Sequence, residues 1–462
     1  MSGKIAFDEI DAQRRALEQL SRKLWENPEG GYQEKNASRW IAEFLEEQGF
    51  QVERGVGGIP TALRASWGSG KPRIGFLGEY DALPGMSQTV TTRKSPIKGQ
   101  RYGHGCGHNL LAAAHLGAVI GLKKEMEKKQ IGGTIVYFGC PAEELLTGKG
   151  YMAREHVFDG LDCAAAFHPG VRNVVTLGNS LALDSVKFHF HGITAHAGGD
   201  TYNGRSALDA AEITNVGANY LREHTTDDVR IHYVITDGGV APNIVPDYAA
   251  VWYYVRAQKR ETVDQVYQRL VQVAQGAAEM TETELEIEYL GGCYETMNNA
   301  VLAETVDACM REIPREAWSP QEIEFAGALN AAAEKQTQAV RAAYGLCAEM
   351  QLHDQVAPIS TESDFGSTDV GDVCQITPTI SFNTACWGLG APGHSWQVTA
   401  CSGSSIGQKG MIYAAKVMAY FGLKVLEEPE ILQRAKSEFE RCKQGKSYVC
   451  PIPMELGVPP EA

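Results

Sequence analysis

Gly133-Thr134-Ile135-Val136-Tyr137-Phe138 runs directly into Gly139-Cys140-Pro141-Ala142-Glu143-Glu144. A short apolar run bounded by turn residues predicts a buried strand, and this one ends in two carboxylates. Upstream, residues 109–129 predict a long helix, opened by the glycine-rich segment 102–108. Further upstream, Arg73-Ile74-Gly75-Phe76-Leu77-Gly78 is a second apolar run, and it ends in Glu79-Tyr80-Asp81. Downstream, Asp162-Cys163-Ala164-Ala165-Ala166-Phe167 is a third, ending in His168-Pro169. Strands alternating with helices predict an α/β fold, a mostly parallel sheet covered by helices on both faces. Residues 5–24 and 35–49 add two amphipathic helices at the start.

Around residue 184 the pattern changes. Val186-Lys187-Phe188-His189-Phe190-His191 alternates like a half-exposed strand, with both histidines on the outer face. Residues 203–224 predict a helix, 229–236 and 248–257 strands, 261–280 a helix and 284–289 a strand. The order β-α-β-β-α-β is the ferredoxin-like arrangement. The expected organisation is a catalytic domain in two parts, 1–183 and 298–462, interrupted by a lid or dimerisation domain at 184–297. In the last part, 379–382 predicts a strand and 403–423 and 428–443 predict helices. Residues 317–352 are helical by composition, with no assigned place.

The chain has 462 residues, more than the roughly 250–300 that one core sustains, so more than one domain is expected. Its formal net charge of −15 opposes binding to a phosphate backbone and argues against nucleic acid as a partner. Eleven cysteines, an odd number without paired C-x-x-C spacing, argue against a disulfide framework and for a reducing compartment. The first residues carry Asp8, Glu9, Asp11, Arg14 and Arg15, unlike a secretory signal. No apolar stretch is long enough to span a bilayer, so no membrane association and a cytoplasmic location are expected.

The chemistry-bearing residues gather at strand ends, where open α/β sheets place their sites. In His104-Gly105-Cys106-Gly107-His108 an extended backbone would face Cys106 and His108 the same way. Thiolate and imidazole are both ligands for zinc-like ions. The alternative is a flexible turn with inert side chains. Glu143 and Glu144 follow a Cys-Pro turn, so their side chains diverge. One can bind a metal while the other serves as general base, the alternative being surface charge. His168 and His394 each have the alternative of a plain structural histidine. Cys106, His108, one glutamate, His168 and His394 together are too many for one tetrahedral ion and suit two ions sharing a ligand.

At these residues the sequence resembles the metallo-amidohydrolases of the carboxypeptidase G/aminoacylase clan, in the branch of auxin-conjugate and hippurate hydrolases and N-acyl-amino-acid deacylases. The resemblance rests on Gly103-His104-Gly105-Cys106-Gly107-His108-Asn109, Pro141-Ala142-Glu143-Glu144, His168-Pro169, Ala195-His196-Ala197 and His394, and it covers nearly the whole chain. It implies two divalent ions per subunit, manganese or zinc, held by Cys106 as the bridging ligand with His108, Glu144, His168 and His394. Glu143 would be the general base and Asp81 a supporting residue. His196 would reach an active site, often across a dimer, and Asn243 and Arg256 would bind the substrate's carboxylate end. The implied substrates are N-acyl or N-aroyl amino acids, foremost p-aminobenzoyl-glutamate, cleaved to p-aminobenzoate and glutamate. The implied partner is a second copy or a related subunit. The chain departs from its relatives at Glu79, where many carry histidine, and at Asn109, where many carry aspartate.

Three other readings compete. One is deacylation of other N-acyl amino acids or dipeptides, and another a supporting subunit of a two-subunit hydrolase. The third is a cysteine nucleophile, Cys106 with His108, which leaves Glu143, Glu144, His168 and His394 without a purpose.

Overall fold

A computed structural model describes residues 3–459; the outermost positions of the two expected catalytic parts, 1, 2 and 460–462, lie outside the described residues. The chain opens with α1 (Lys4–Glu26), α2 (Lys35–Glu47), β1 (Gln51–Arg54), β2 (Leu63–Ser69) and β3 (Arg73–Glu79). A short ribbon, β4 (Leu83–Pro84) and β5 (Tyr102–Gly103), precedes α3 (His108–Lys129), β6 (Gly133–Cys140), α4 (Gly148–Arg154), β7 (Cys163–Gly170) and β8 (Val174–Val175). Then come β9 (Ala182–His191), α5 (Ala207–Leu221), β10 (Arg230–Asp237), β11 (Tyr248–Ala257), α6 (Arg260–Thr281) and β12 (Glu284–Cys293). The last part holds α7 (Ala300–Glu312), α8 (Pro320–Ala331), α9 (Glu334–Tyr344), α10 (Val370–Cys374), β13 (Thr379–Ala385), α11 (Trp396–Ser402), α12 (Ser405–Glu427) and α13 (Pro429–Lys443).

The larger sheet has the order β1-β2-β6-β3-β7-β13-β8. Its centre, β6-β3-β7-β13, is parallel, as the buried apolar runs predict. Its edges are antiparallel: β1 on β2, β2 on β6, and β8 on β13. The β1 edge escapes sequence reading because Gln51-Val52-Glu53-Arg54 is polar and mostly exposed. On one face, α3 packs between α1 and α12, and it is buried on all sides from His108 to Leu122. An all-round apolar helix is what such a sandwiched position requires. The other face is covered by α4 and α10, with Phe138, Phe158, Tyr151 and Val373 in a separate core.

The second sheet, β10-β11-β9-β12, is antiparallel throughout and carries α5 and α6 on one face. Phe188, Phe190 and Tyr253 fill the layer between sheet and helices. His191 is exposed on the outer face as expected, but His189 is half-buried, bonded to the Tyr248 hydroxyl at 2.8 Å and to Glu288 at 2.9 Å. The helical composition of 317–352 resolves into α8 and α9. Ser319 and Glu322 form a capping box that starts α8, with Pro320 in its first turn.

Candidate metal centre

Four parallel strands point their carboxyl ends at one place. Glu79 ends β3, Glu143 follows β6, and His168 lies near the end of β7 beside Asn383 of β13. The turn after β6 is forced. Ala142 and Leu146 have φ of 55° and 59° and bracket a single 3-10 turn, Glu143–Leu145. Gly148 closes against it; a Cβ there would stand 1.7 Å from the Pro141 carbonyl oxygen. Glu34, fully buried, accepts a hydrogen bond from the Ala142 N–H at 2.8 Å and one from the Thr61 hydroxyl at 3.0 Å. That carboxylate therefore fixes the backbone that presents both glutamates.

Cys106 and His108 do converge, but not through an extended segment. The chain bends at Gly105 and Cys106, Gly107 takes φ of 80°, and His108 begins α3. The left-handed conformation at 107, which glycine adopts without cost, makes the turn.

Cys106 Sγ lies 3.3 Å from His168 Nε2. The donor atoms of Cys106, His108 and His168 all lie within 4.8 Å of one another, and so do those of Cys106, Glu144 and His394. Cys106 is common to both groups. A third group, Glu79, His108 and Glu143, adjoins them. His394 Nε2 is 3.4 Å from Glu144 Oε2. Asp81 stands behind. Its Oδ1 is 2.9 Å from His108 Nδ1, and its Oδ2 accepts from the Glu144 N–H at 2.9 Å. A carboxylate on the far nitrogen fixes the ring so that Nε2 faces the centre.

The donor set fits metal ions. His108 Nε2 and Glu144 Oε1 are buried polar atoms without any hydrogen-bond partner among the described residues. Buried polar atoms are rarely left so unless another group satisfies them. Burial, then the neighbouring Glu79 and Glu144 charges, push the Glu143 carboxyl well above its ordinary range. Burial likewise raises Glu144 to about 7. Burial, reinforced by Glu144, also pushes the Cys106 thiol up, which disfavours a free thiolate nucleophile. Against its burial, Lys149 holds Glu79 below the usual carboxylate range.

The centre opens into a cavity of about 580 Å³ between the two sheets. Tyr254 and Arg256 of β11 line it from the lid, and Ser367, Thr368, Asn298 and Asn383 from the other side. Arg256 Nη1 is 3.3 Å from Ser367 Oγ, and its Nε is a buried donor without a partner among the described residues. His196 and Asn243 are not in this cavity. They lie together at an exposed end of the lid, where Ala197 N–H donates to the Asn243 carbonyl and residues 196 and 244 form a bridge.

Several residues around the centre had no clear signal in the sequence. Lys149 and Asp369 pair behind Glu79. Asn330 of α8 accepts from the Gly390 N–H at 2.9 Å and donates to the Gln351 carbonyl at 3.0 Å. Gln351 in turn accepts from the Leu389 N–H. The helices within 317–352 thus brace the loop that carries His394, a residue held at φ of 53°.

Asn109 also finds its reason here. Its buried Nδ2 donates to the Ser21 hydroxyl at 3.0 Å, the Ser402 carbonyl at 3.1 Å and the Ser21 carbonyl at 3.3 Å, joining α3 to α1 and α11. Aspartate would set a carboxylate against two carbonyl oxygens. Asn109→Asp is expected to lower the unfolding free energy by about 1–3 kcal/mol, read as a lower urea midpoint with an unchanged slope. An unaltered midpoint would show that the amide does not staple these helices.

Comparison with known proteins adds to this geometry. Residues 182–281 match the peptidase dimerisation domain. The chain is 36% identical to one of the subunits of the p-aminobenzoyl-glutamate hydrolase of Escherichia coli strain K12, across 97% of each protein. It is 29% identical to the Xaa-Arg dipeptidase of Mus musculus, across 95% of this chain and 92% of that one. Among solved structures, a dinuclear metal binding peptidase from the M20 family of Bacillus subtilis shares the fold, with a TM-score of 0.58 at 18% identity over 90% of this chain and 99% of that one.

Proposed function

The chain belongs to the M20 family of peptidases and amidohydrolases, and we propose that it cleaves p-aminobenzoyl-glutamate, or close N-aroyl amino acids, at the centre built around Cys106. The observation that carries this reading is one cysteine shared by two ligand groups, with Glu143 beside them and Arg256 across the cavity. The ions would be held by Cys106, His108 and His168 on one side and by Cys106, Glu144 and His394 on the other. Two divalent ions, manganese or zinc, bound there would supply Lewis-acid polarisation of the amide carbonyl and acidify water. Glu143, buried beside both groups, would take a proton from the attacking water and return it to the leaving nitrogen. Arg256 pairs with a substrate carboxylate through its planar fork, which a lysine ammonium does not reproduce.

The lid supports a partner. On its edge strand β10, Tyr233, Val234 and Ile235 are exposed, as are Val216 and Tyr220 of α5. Apolar side chains on an unpaired strand edge suit a second copy or a related subunit. Across such an interface His196 would stabilise the oxyanion of the neighbouring site and Asn243 would help hold its substrate. We keep the lid at 184–297 as a proposal; β9 begins two residues before the first limit, at Ala182, and α7 begins after the second, at Ala300. All eleven cysteines are free, which favours a reducing, cytoplasmic location, and no helix among the described residues is long and apolar enough to cross a membrane.

The test is a substrate panel with the purified chain alone and manganese or zinc added singly: p-aminobenzoyl-glutamate, hippurate and Xaa-Arg dipeptides. The expected result is fastest release of p-aminobenzoate. Arg256→Lys should raise the KM for this substrate about tenfold or more while leaving kcat near wild type, as loss of uniform binding does. Activity that appears only after adding a second, related chain would favour the supporting-subunit reading, which the Escherichia coli relative motivates by being itself one part of a hydrolase.

A further inference from the structure

Lys149 lies in the first turn of α4 and is wholly buried. Its Nζ is 2.6 Å from Glu79 Oε1 and 2.6 Å from Asp369 Oδ1, and its backbone N–H donates to Asp369 Oδ2 at 2.8 Å. The other oxygen of Glu79 lies 3.6 Å from His108 Nε2, the nitrogen that faces the centre. A carboxylate thus stands beside a ligand position while one of its oxygens is engaged by an ammonium. In a dry interior that attraction is strong, and the second anion, Asp369, anchors the lysine from behind so that it does not follow Glu79.

We propose that Lys149 is a positioning residue that withholds Glu79 from the ion at His108 and so sets the metal preference of that position. The inference rests on the metal-centre reading above. With Glu79 withheld, the ligands at His108 are one thiolate and two imidazoles, a set that suits zinc-like ions. A released Glu79 would add a hard oxygen donor, and carboxylate-rich sets move preference toward manganese. Nothing in the Gly148-Lys149-Gly150 sequence marks this role, because both acidic partners come from distant segments.

The test frees Glu79 at constant charge. Lys149→Met with Asp369→Asn keeps the net charge of the trio and leaves residue 369 an oxygen to accept the residue 149 N–H. Full-length protein is equilibrated with manganese and zinc together, and bound ions are counted by elemental analysis. Wild type binding two ions upholds the underlying reading, and failure at that step rejects the centre itself. With two ions bound, the double variant is expected to favour manganese over zinc about tenfold more than wild type at one position. Adding Glu79→Gln should remove the shift. An unchanged ratio, or a shift that persists without the Glu79 carboxylate, overturns the proposal. If the double variant does not fold, Glu79→Gln alone decides: two ions at the wild-type ratio are expected, and loss of an ion would show Glu79 to be a ligand already.

Discussion

Glu143→Gln is expected to keep both ions and the fold yet lose at least about 10²-fold in kcat, with KM nearly unchanged. Glutamine fills the same space on the same 3-10 turn, and neither of the two ligand groups built on Cys106 needs this side chain. What it cannot do is accept a proton. Glu143 is buried, and the charges of Glu79 and Glu144 add to the burial that raises its proton affinity. In the proposed mechanism the same group would return the proton to the leaving nitrogen, so its loss would affect the transition state rather than substrate binding. The measurement is steady-state kinetics beside elemental analysis of the variant. Turnover within a few-fold of wild type, with both ions bound, would sink the general-base assignment. Loss of an ion together with activity would instead make Glu143 a ligand.

The parts of this arrangement visible in the sequence share a physical cause. Strands buried on both faces must be apolar throughout, so β3, β6 and β7 announce themselves as short runs, and the polar residues at their ends stand out. The lid is legible through its alternation, with Phe188 and Phe190 inward and His191 outward. Residues that act through long-range contacts are silent. Glu34 reaches Ala142 across 108 positions, and Lys149 reaches Asp369 across 220. A lysine between two glycines reads as a surface turn, and only the tertiary fold shows it enclosed by carboxylates. Edge strand β1 is silent for the opposite reason: exposed residues need no apolar pattern. His196 lies in the Ala195-His196-Ala197 motif, but the fold leaves it and Asn243 at an exposed lid surface, and the sequence does not show what they would face there.

The second large effect concerns Cys106, which among the described residues is shared by the Cys106/His108/His168 and Cys106/Glu144/His394 groups. Cys106→Ala is expected to empty both positions, whereas His394→Ala should empty only the one that it shares with Glu144. The difference follows from connectivity. Removing a terminal ligand would weaken one position, but removing a shared one would strip both and take away the negative charge that offsets the repulsion between two ions. Cys106→Ala deletes one sulfur at a half-buried place, so the fold itself should survive, a point circular dichroism would check. Counting ions per chain after dialysis gives the answer as two, one or none. Two ions on Cys106→Ala would refute the shared-ligand model. The same connectivity separates this model from a cysteine nucleophile. In the ion-loaded wild type Cys106 should resist alkylation, while the exposed Cys347 and Cys442 react and serve as internal controls. A nucleophile would show the reverse, with rapid modification of Cys106 in the active enzyme and turnover that survives removal of the ions.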